Sequence, residues 1–423
     1  MARTEPVDAT EPTKKLGSNF YKLWVASAIS NFGDGVRLTA IPLLAASLTR
    51  DPGLIAGVSF ASSVPWLLFA LTAGALVDRL DRRHTMWTMQ VFRMVLMAGL
   101  GIAVLLDLTS AGLLVTLYVV SFFLGVAEVM FDNAAQAIMP SVVHKDQLQV
   151  ANGRLFAAEE VLNRFAGPPA GSFLFVAAMA LPFIVDAVSF GLGALLILSM
   201  TGSHRPERDA AAPPTKIRAD VAEGLRWLWN HKLLRTLAIM TGVHNLTSNA
   251  TFSLFVLYAL EILDLSAEGF GILLAAMAVG GLVGSLAGPR LARLFGDGVS
   301  FYVITLGAAG VNLVIGLTSS ALVVGGVSIV FGVGITWWNV IAVSLRQSVV
   351  PDRLLGRVNS VYRLLAWGTM PLGAALGGFL GGLFGLRSPY FFSTVVLVAL
   401  ALYMLPNVSD RSIAQARAGA EAD

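Results

Sequence analysis

The sequence predicts an all-α membrane protein with twelve transmembrane helices in two pseudo-symmetric six-helix bundles. Three observations lead there. Of 423 residues, 56% are hydrophobic and 13% charged, a balance outside the range of soluble domains. A hydrocarbon core about 30 Å thick takes roughly 20 mainly apolar residues per helix, and runs such as Leu54 to Val77 and Ala321 to Leu345 reach that length. These runs are apolar all round, without the alternation of a transmembrane barrel strand. Finally, one long polar interval lies midway and divides the spans six and six.

The spans are expected at roughly 20–48, 54–77, 85–106, 111–140, 150–176, 179–201, 233–262, 267–289, 299–318, 321–345, 355–384 and 388–407. Residues 1–19 read as an N-terminal tail, 20–201 as the first bundle, 202–232 as a linker, 233–407 as the second bundle and 408–423 as a C-terminal tail. The first run begins after Lys14 and Lys15 and lacks a small-residue cleavage pattern leading into a soluble domain, which argues against a cleaved signal peptide. With the N-terminus cytoplasmic, the inner loops and adjoining span ends hold Arg79, Arg82, Arg83, Lys145, Arg154, Arg205, Arg208, Lys216, Arg218, Arg226, Arg290, Arg293, Arg346, Arg353 and Arg357, against Arg50 and Arg387 outside. That is the positive-inside asymmetry, so both termini are expected in the cytoplasm and the chain in the cell membrane.

The linker contains Pro213 and Pro214. After it, Val221, Leu225, Leu228 and Trp229 recur at helical spacing among charges, which suits an amphipathic helix at the inner surface or a short solvated connector. Self-comparison supports duplication. GALVDRLDRR at Gly74 to Arg83 has a faded counterpart in GSLAGPRLAR at Gly284 to Arg293, and SVVHKDQLQVAN resembles SVVPDRLLGRVN, both at an offset of a little over two hundred residues.

Several functions are excluded by what the chain lacks. It has no cysteine, hence no disulfide framework or thiol chemistry. The net charge of +3 is spread over loops, so no nucleic-acid partner is expected. No phosphate-binding loop, nucleophile elbow or zincin helix is present, so neither direct ATP coupling nor enzymatic hydrolysis is expected.

An ionisable group at a membrane helix centre costs about 2.5–3.5 kcal/mol or more, so each one calls for a partner or a task. Asp34 falls near the middle of the first span, in SNFGDGVRLTAIP, and is the first candidate for a proton-binding carboxylate. Arg37, three residues on, makes a permanent structural pair the equal alternative. Glu128 and Asp132 share a face of span four, Glu128 the deeper. Glu160 and Arg164 have ion-pair spacing, which leaves Glu159 as a further proton-coupling candidate facing a cavity. Arg93 in span three is expected to neutralise one of these acids. In the second half, His244, Asn245, Asn249, Asn312, Trp337, Trp338 and Asn339 are candidates to line a substrate cavity, or to serve as interhelical contacts and filling. Trp66, Phe255, Trp338 and Trp367 could stack on an apolar or cationic substrate, or simply fill the bundle.

Six plus six helices, the loop reading G-x-L-V-D-R-x-D-R-R and the span-five GPPAG resemble the major facilitator superfamily. Within it the chain is similar to the twelve-helix drug and siderophore exporters, the group of macrolide-efflux and Tap-like pumps. ANGRLFAAEEVLNRFAGPPAGSF, PFIVDAVSF and AEGLRWLWNHKLLRTL carry the likeness across the membrane portion. The resemblance implies a cytoplasmic latch comprising Gly74, Asp78, Arg79, Arg82 and Asp132. Asp78 would meet the partial positive charge at the N-terminus of span eleven, and Arg82 would pair with Asp132. Arg79, Asp81 and Arg83 could equally be solvated or headgroup contacts. Asp81 stands where the family usually has glycine.

Gly167, Pro168, Pro169 and Gly171 match the family's antiporter motif, with Ser172 in place of its last glycine, and imply export. The alternative is a packing kink. The resemblance also gives Asp186 a structural role. It places the glycine stripes Gly280, Gly284, Gly288 and Gly373, Gly377, Gly381, Gly385 at the gap between halves, facing spans five and two.

The expected function is therefore a monomeric, proton-coupled antiporter without a cofactor. The proton gradient would be its energy source, and it would export an amphipathic drug or secondary metabolite by alternating access. A siderophore exporter of the same fold and a lipid or lysolipid flippase are the alternatives.

Overall fold

The computed structural model describes residues 16–77, 79–202 and 217–422, and these are helical almost throughout. Asp78, predicted to be the latch carboxylate, and the Pro213–Pro214 linker lie outside the described residues. In chain order the helices are α1 (Ser18–Leu48), α2 (Pro52–Val77), α3 (Arg82–Leu105), α4 (Ser110–Val142), α5 (Leu148–Ala158), α6 (Gly167–Ala177), α7 (Leu181–Leu198), α8 (Ile217–Asn230) and α9 (Lys232–Phe252). They continue with α10 (Phe255–Leu257), α11 (Ala267–Phe295), α12 (Asp297–Leu317), α13 (Ala321–Val349), α14 (Asp352–Phe384), α15 (Ser388–Met404) and α16 (Asp410–Ala422). Two π-helical segments, Glu159–Ala166 and Tyr258–Ile262, interrupt the series.

Eight helices among the described residues are long and apolar enough to cross a membrane. The other four predicted spans are helical too, but each departs from a plain apolar rod. α1 carries Lys22, Asp34 and Arg37. The fifth is broken between α5 and α6 by a π segment holding Glu159, Glu160 and Arg164. The seventh breaks after Phe252, and α15 is short at 17 residues. Large apolar side chains face outward, Leu294 at 76% and Leu322 at 89% exposure, which water would penalise and lipid does not.

Helix starts follow side-chain chemistry. Thr109 and Ser266 accept hydrogen bonds from the N–H groups of Gly112 and Gly269, capping α4 and α11. Asp81 caps α3 by accepting from His84 N at 2.9 Å, with φ of −67°. The backbone there needs no glycine, which accounts for an aspartate at that loop position. Arg83 binds the carbonyls of Ile197 and Leu198, tying the α2–α3 turn to the C-terminal end of α7.

α1 packs against α6 and α7, α3 against α4 and α7, and α2 against α4. Later in the chain, α9 packs on α14 and α15, α11 on α13, and α12 on α13 and α15. Two seams join these sets, α2 with α14 and α6 with α11. At the first, a Cβ added to Gly378 would lie 2.7 Å from Ala56 Cβ. At the second, one added to Gly271 would lie 2.8 Å from Pro168 O.

The glycine stripes lie only in part where the resemblance placed them. Cβ atoms added to Gly280 and Gly284 would meet Ile329 O and Thr336 Oγ1 of α13, and those on Gly373 and Gly377 would meet Leu246 O and Ala250 O of α9. These four glycines therefore fasten neighbours on their own side, while Gly381 also reaches the seam, its added Cβ 3.3 Å from Pro52 Cβ of α2. The seams also use Gly271, Gly281 and Gly378, one helical face away.

α8 forms where the amphipathic spacing predicts it and packs on α9 and α14, burying Leu228 while Leu225 and Trp229 stay exposed.

Candidate functional site

The glycines flanking Asp34 let two other helices close on α1. A Cβ on Gly33 would lie 2.4 Å from Asp186 Oδ1 of α7, and one on Gly35 would lie 2.3 Å from Asn163 O in the π segment. With both positions bare, α1 places Asp34 and Arg37 between those elements. Arg37 Nη2 donates to Asp34 Oδ1 at 2.6 Å, and Arg37 Nε lies 3.4 Å from Asp186 Oδ2. Asp186 is fully buried, and the Ser189 hydroxyl donates to its Oδ1 at 3.3 Å. Sequence reasoning assigned Asp186 a separate structural role. Its visible signal was an acid in an otherwise apolar run, and only folding across some 150 residues of chain separation brings it to Arg37.

Glu128 and Asp132 of α4 complete the acidic side of this cluster, both within electrostatic reach of Arg93 and Asp34, and Glu128 of Arg37 as well. Arg93 is buried, its guanidinium 4.9 Å from the Phe131 ring centroid and 5.4 Å from that of Phe190. It forms no ion pair within 4.0 Å among the described residues, so its charge is shared by cation–π contact and the nearby acids. Beside it, buried Gln90 donates to Ser30 at 2.7 Å, binding α3 to α1.

The antiporter-like motif has a defined mechanical effect. Pro168 and Pro169 offer no N–H to the preceding turn, and the chain before them widens into the π segment, where Gly167 N bonds back to Leu162 O. A Cβ on Gly171 would sit 2.3 Å from Val36 O, and the Thr39 hydroxyl donates to Pro168 O at 3.1 Å. The motif thus holds α6 against α1 beside Arg37. The widened turn carries Glu159, Glu160 and Arg164. Arg164 lies 3.3 Å from Glu160 and also 3.7 Å from Glu159, which sequence spacing had left unpaired.

Arg164 also enters the wall of a cavity of about 660 Å³ formed mainly by α9, α12, α13 and α14. All of His244, Asn245, Asn249, Trp337, Trp338 and Asn339 line it. His244 Nε2 is 3.1 Å from Thr305 Oγ1, and its ring stands 4.7 Å from Trp338. Asn245 donates to Ala366 O at 2.7 Å and Asn249 to Asn245 O at 2.9 Å, so both amides have backbone partners. Asn312 belongs to a smaller adjoining cavity of about 190 Å³, which shares Ser248, Asn249 and Phe331 with the larger one. Sequence reading missed Arg346, Tyr362 and Arg363, which line the large cavity as well.

Among the latch residues, Gly74 faces Asn133 of α4, with 3.6 Å between an added Cβ and the amide oxygen. Arg79 is exposed. Arg82 and Asp132 are not brought into an ion pair. The cations whose fields reach Asp132 are Arg93 and Arg363.

A helical membrane fold with charged groups buried between its helices, and a polar and aromatic cavity beside them, defines a multi-pass transporter and not an enzyme. The sequence matches the major facilitator family described as transmembrane secretion effectors over residues 14–417, and the chain belongs to that family. It is 25% identical over 408 residues to the multidrug efflux pump Tap of Mycolicibacterium fortuitum, covering 92% of this chain and 96% of that protein. It is 21% identical over 396 residues to macrolide efflux protein A of Streptococcus pyogenes, covering 90% of this chain and 94% of that protein. The crystal structure of a variant of the nucleoside transporter NupG superposes with a TM-score of 0.77 at 10% identity, covering 92% of this chain and 99% of that one, a likeness of fold.

Proposed function

We propose that this chain is a twelve-helix, proton-coupled antiporter that exports amphipathic small molecules from the cytoplasm by alternating access. The observation that carries the reading is the Asp34–Arg37–Asp186 cluster. Asp34, Glu128, Asp132 and Asp186 gather around Arg37 and Arg93 within one part of the fold. More acids than cations in a poorly hydrated place leave negative charge that mobile protons can balance. Efflux is supported by the names of the relatives, both drug exporters, and by the GPPAG segment that packs on the same part of α1.

In this reading residues 20–201 and 233–407 are the two six-helix bundles, a monomer in the cell membrane with both termini cytoplasmic. They rock about the α2–α14 and α6–α11 seams. Protons from outside reach Asp34 or Glu128 and weaken the hold of Arg37 on its carboxylates. Movement in α1 is passed to the π segment, and through Arg164 to the cavity wall, where substrate is released outward. Protons then leave to the cytoplasm. Asp78 latches the inner ends in the outward-facing state.

The test is transport by inverted vesicles with an imposed pH gradient, comparing wild type with Asp34→Asn. Gradient-driven uptake of a fluorescent amphiphile is expected in wild type and at least tenfold less in the variant. Unchanged uptake in the variant rejects Asp34 as the coupling carboxylate. Uptake indifferent to the gradient rejects antiport.

A further inference from the structure

We infer that the large cavity is built for an amphipathic anion, whose carboxylate, sulfonate or phosphate is held by Arg346 and Arg363 while its apolar body rests on Trp338 and Phe331. The inference rests on the reading that this cavity carries the transported molecule, and it specifies the charge of that molecule.

The cavity wall contains Arg164, Arg346 and Arg363 and no Asp or Glu among the described residues. These three cations are not equivalent. Arg164 is already committed to Glu159 and Glu160. Arg363 stacks over the Trp367 ring at 4.4 Å and feels the field of Asp132 from a distance. Arg346 has no carboxylate within ion-pair distance among the described residues, and its guanidinium lies 4.1 Å from the centroid of Tyr362. Its place in the last turn of α13, where the helix dipole is negative, offsets only part of its charge.

The unmatched hydrogen-bonding groups point the same way. Arg346 Nε and Trp337 Nε1 are buried without an acceptor, and both residues line this cavity. Trp337 is only 5% exposed. Both are donors, and a buried donor left unpaired is costly, more so when charged. The neutral Tyr362 hydroxyl bonds to Thr241 and lies within hydrogen-bonding reach of Arg346, which it orients without neutralising its charge. Among the described residues the wall carries no negative charge and leaves these two donors without acceptors, and an anionic ligand supplies both. A guanidinium set face-on to an aromatic ring keeps its edge free for a bidentate acid. The smaller cavity beyond Asn249 extends the apolar space by about 190 Å³, room for the rest of an amphiphile.

The test uses full-length protein in phosphatidylcholine nanodiscs, with binding read by energy transfer from tryptophan. Three probes are compared: anilinonaphthalene sulfonate, its uncharged frame phenylnaphthylamine, and ethidium as a cation. Wild type is expected to bind the sulfonate at least tenfold more tightly than the neutral frame, and ethidium most weakly. Arg346→Gln is expected to lose at least tenfold for the sulfonate and to stay within about twofold for the neutral probe. Arg346→Lys is expected to recover part of the loss. Equal affinity for sulfonate and neutral frame in wild type, or a preference for ethidium, overturns the inference. So does an equal loss of both probes in Arg346→Gln when Arg363→Gln, still monodisperse, leaves sulfonate selectivity intact.

Adding phosphatidylglycerol to the discs separates two sources of the anion. Displacement of the sulfonate assigns the site to a lipid headgroup and its absence to a soluble amphiphile, and both sustain the anionic class. Binding is measured without a gradient, so failure of antiport and failure of anion selectivity are read independently.

Discussion

Arg37 Nε lies 3.4 Å from Asp186 Oδ2, across the contact between α1 and α7, while the same guanidinium donates to Asp34 at 2.6 Å. One arginine thus joins a neighbour on its own helix to a fully buried acid on another. Removing Asp186 leaves Arg37 with Asp34 and the more distant Glu128 as its only compensating charges among the described residues, and opens a gap where Asp186 was fully buried. Asp186→Ala should destabilise the fold by about 3 kcal/mol, toward the lower end for a broken buried pair because Asp34 remains. Asp186→Asn keeps the shape and should lose less. Denaturation midpoints in one detergent will show the order wild type, Asn, Ala; equal midpoints would remove the pair from the stability argument.

Gly35 is bare because the π segment's backbone occupies the space beside it. An added Cβ would lie 2.3 Å from Asn163 O, and a carbonyl cannot turn aside as a flexible side chain can. Gly35→Ala should therefore cost about 2–3 kcal/mol by overpacking. Gly99 has nothing within 4 Å of its Cβ position, and Gly99→Ala should be neutral or gain up to about 1 kcal/mol from helix propensity. The difference between the two thermal midpoints is the measurement.

The α2–α14 seam should open and close during transport, and a cross-link should stop it. Ala56 and Gly378 face each other with 2.7 Å between Cβ and the added Cβ. The natural chain has no cysteine, so Ala56→Cys with Gly378→Cys introduces the only thiols. Mild oxidation should lock this pair and abolish transport, with recovery on reduction. Ala56→Cys with Gly382→Cys, where Gly382 meets nothing within 4 Å, should not cross-link. Full transport with the first pair oxidised would exclude movement at this seam.

His231 caps α9 by accepting from Leu234 N at 3.4 Å through Nδ1, which requires a neutral ring. Burial pushes its pKa below the ordinary value of 6.5, with backbone hydrogen bonding opposing in part. The unfolded chain then binds the proton more readily than the folded one, so the cap's contribution is complete above pH 6.5 and is lost as pH falls from there toward the lower folded value. Amide exchange in the first turn of α9, normalised for intrinsic rate, should accelerate as pH drops through that window. His231→Asn should flatten the response.

Much of the fold was legible along the chain. Eight of the predicted spans coincide with helices long and apolar enough to cross a membrane, and the other four fall on helical segments that carry charge, break or are short. The Asp34–Arg37 and Glu160–Arg164 pairs followed from spacing on one helix, and six predicted cavity residues share one wall. Partners on other helices were not legible. Arg93 was expected to neutralise an acid, and its field reaches Glu128 and Asp132 while its guanidinium lies against Phe131 and Phe190; Arg82 was expected on Asp132 and forms no such pair. The glycine stripes were readable as close-packing faces, but periodicity carries no information about which neighbour fills the space.

By itself the sequence determined where helices form, which of them bear charge and which faces are small, because hydropathy, capping and helical period are local properties. Only the tertiary structure decided that Asp186 meets Arg37, that Gly280 rests on α13, and that Arg346 enters a cavity wall that holds no carboxylate among the described residues. Those outcomes depend on how long rods pack side by side in lipid. There the hydrophobic effect scarcely distinguishes one partner from another, so close fit and buried polar contacts make the choice.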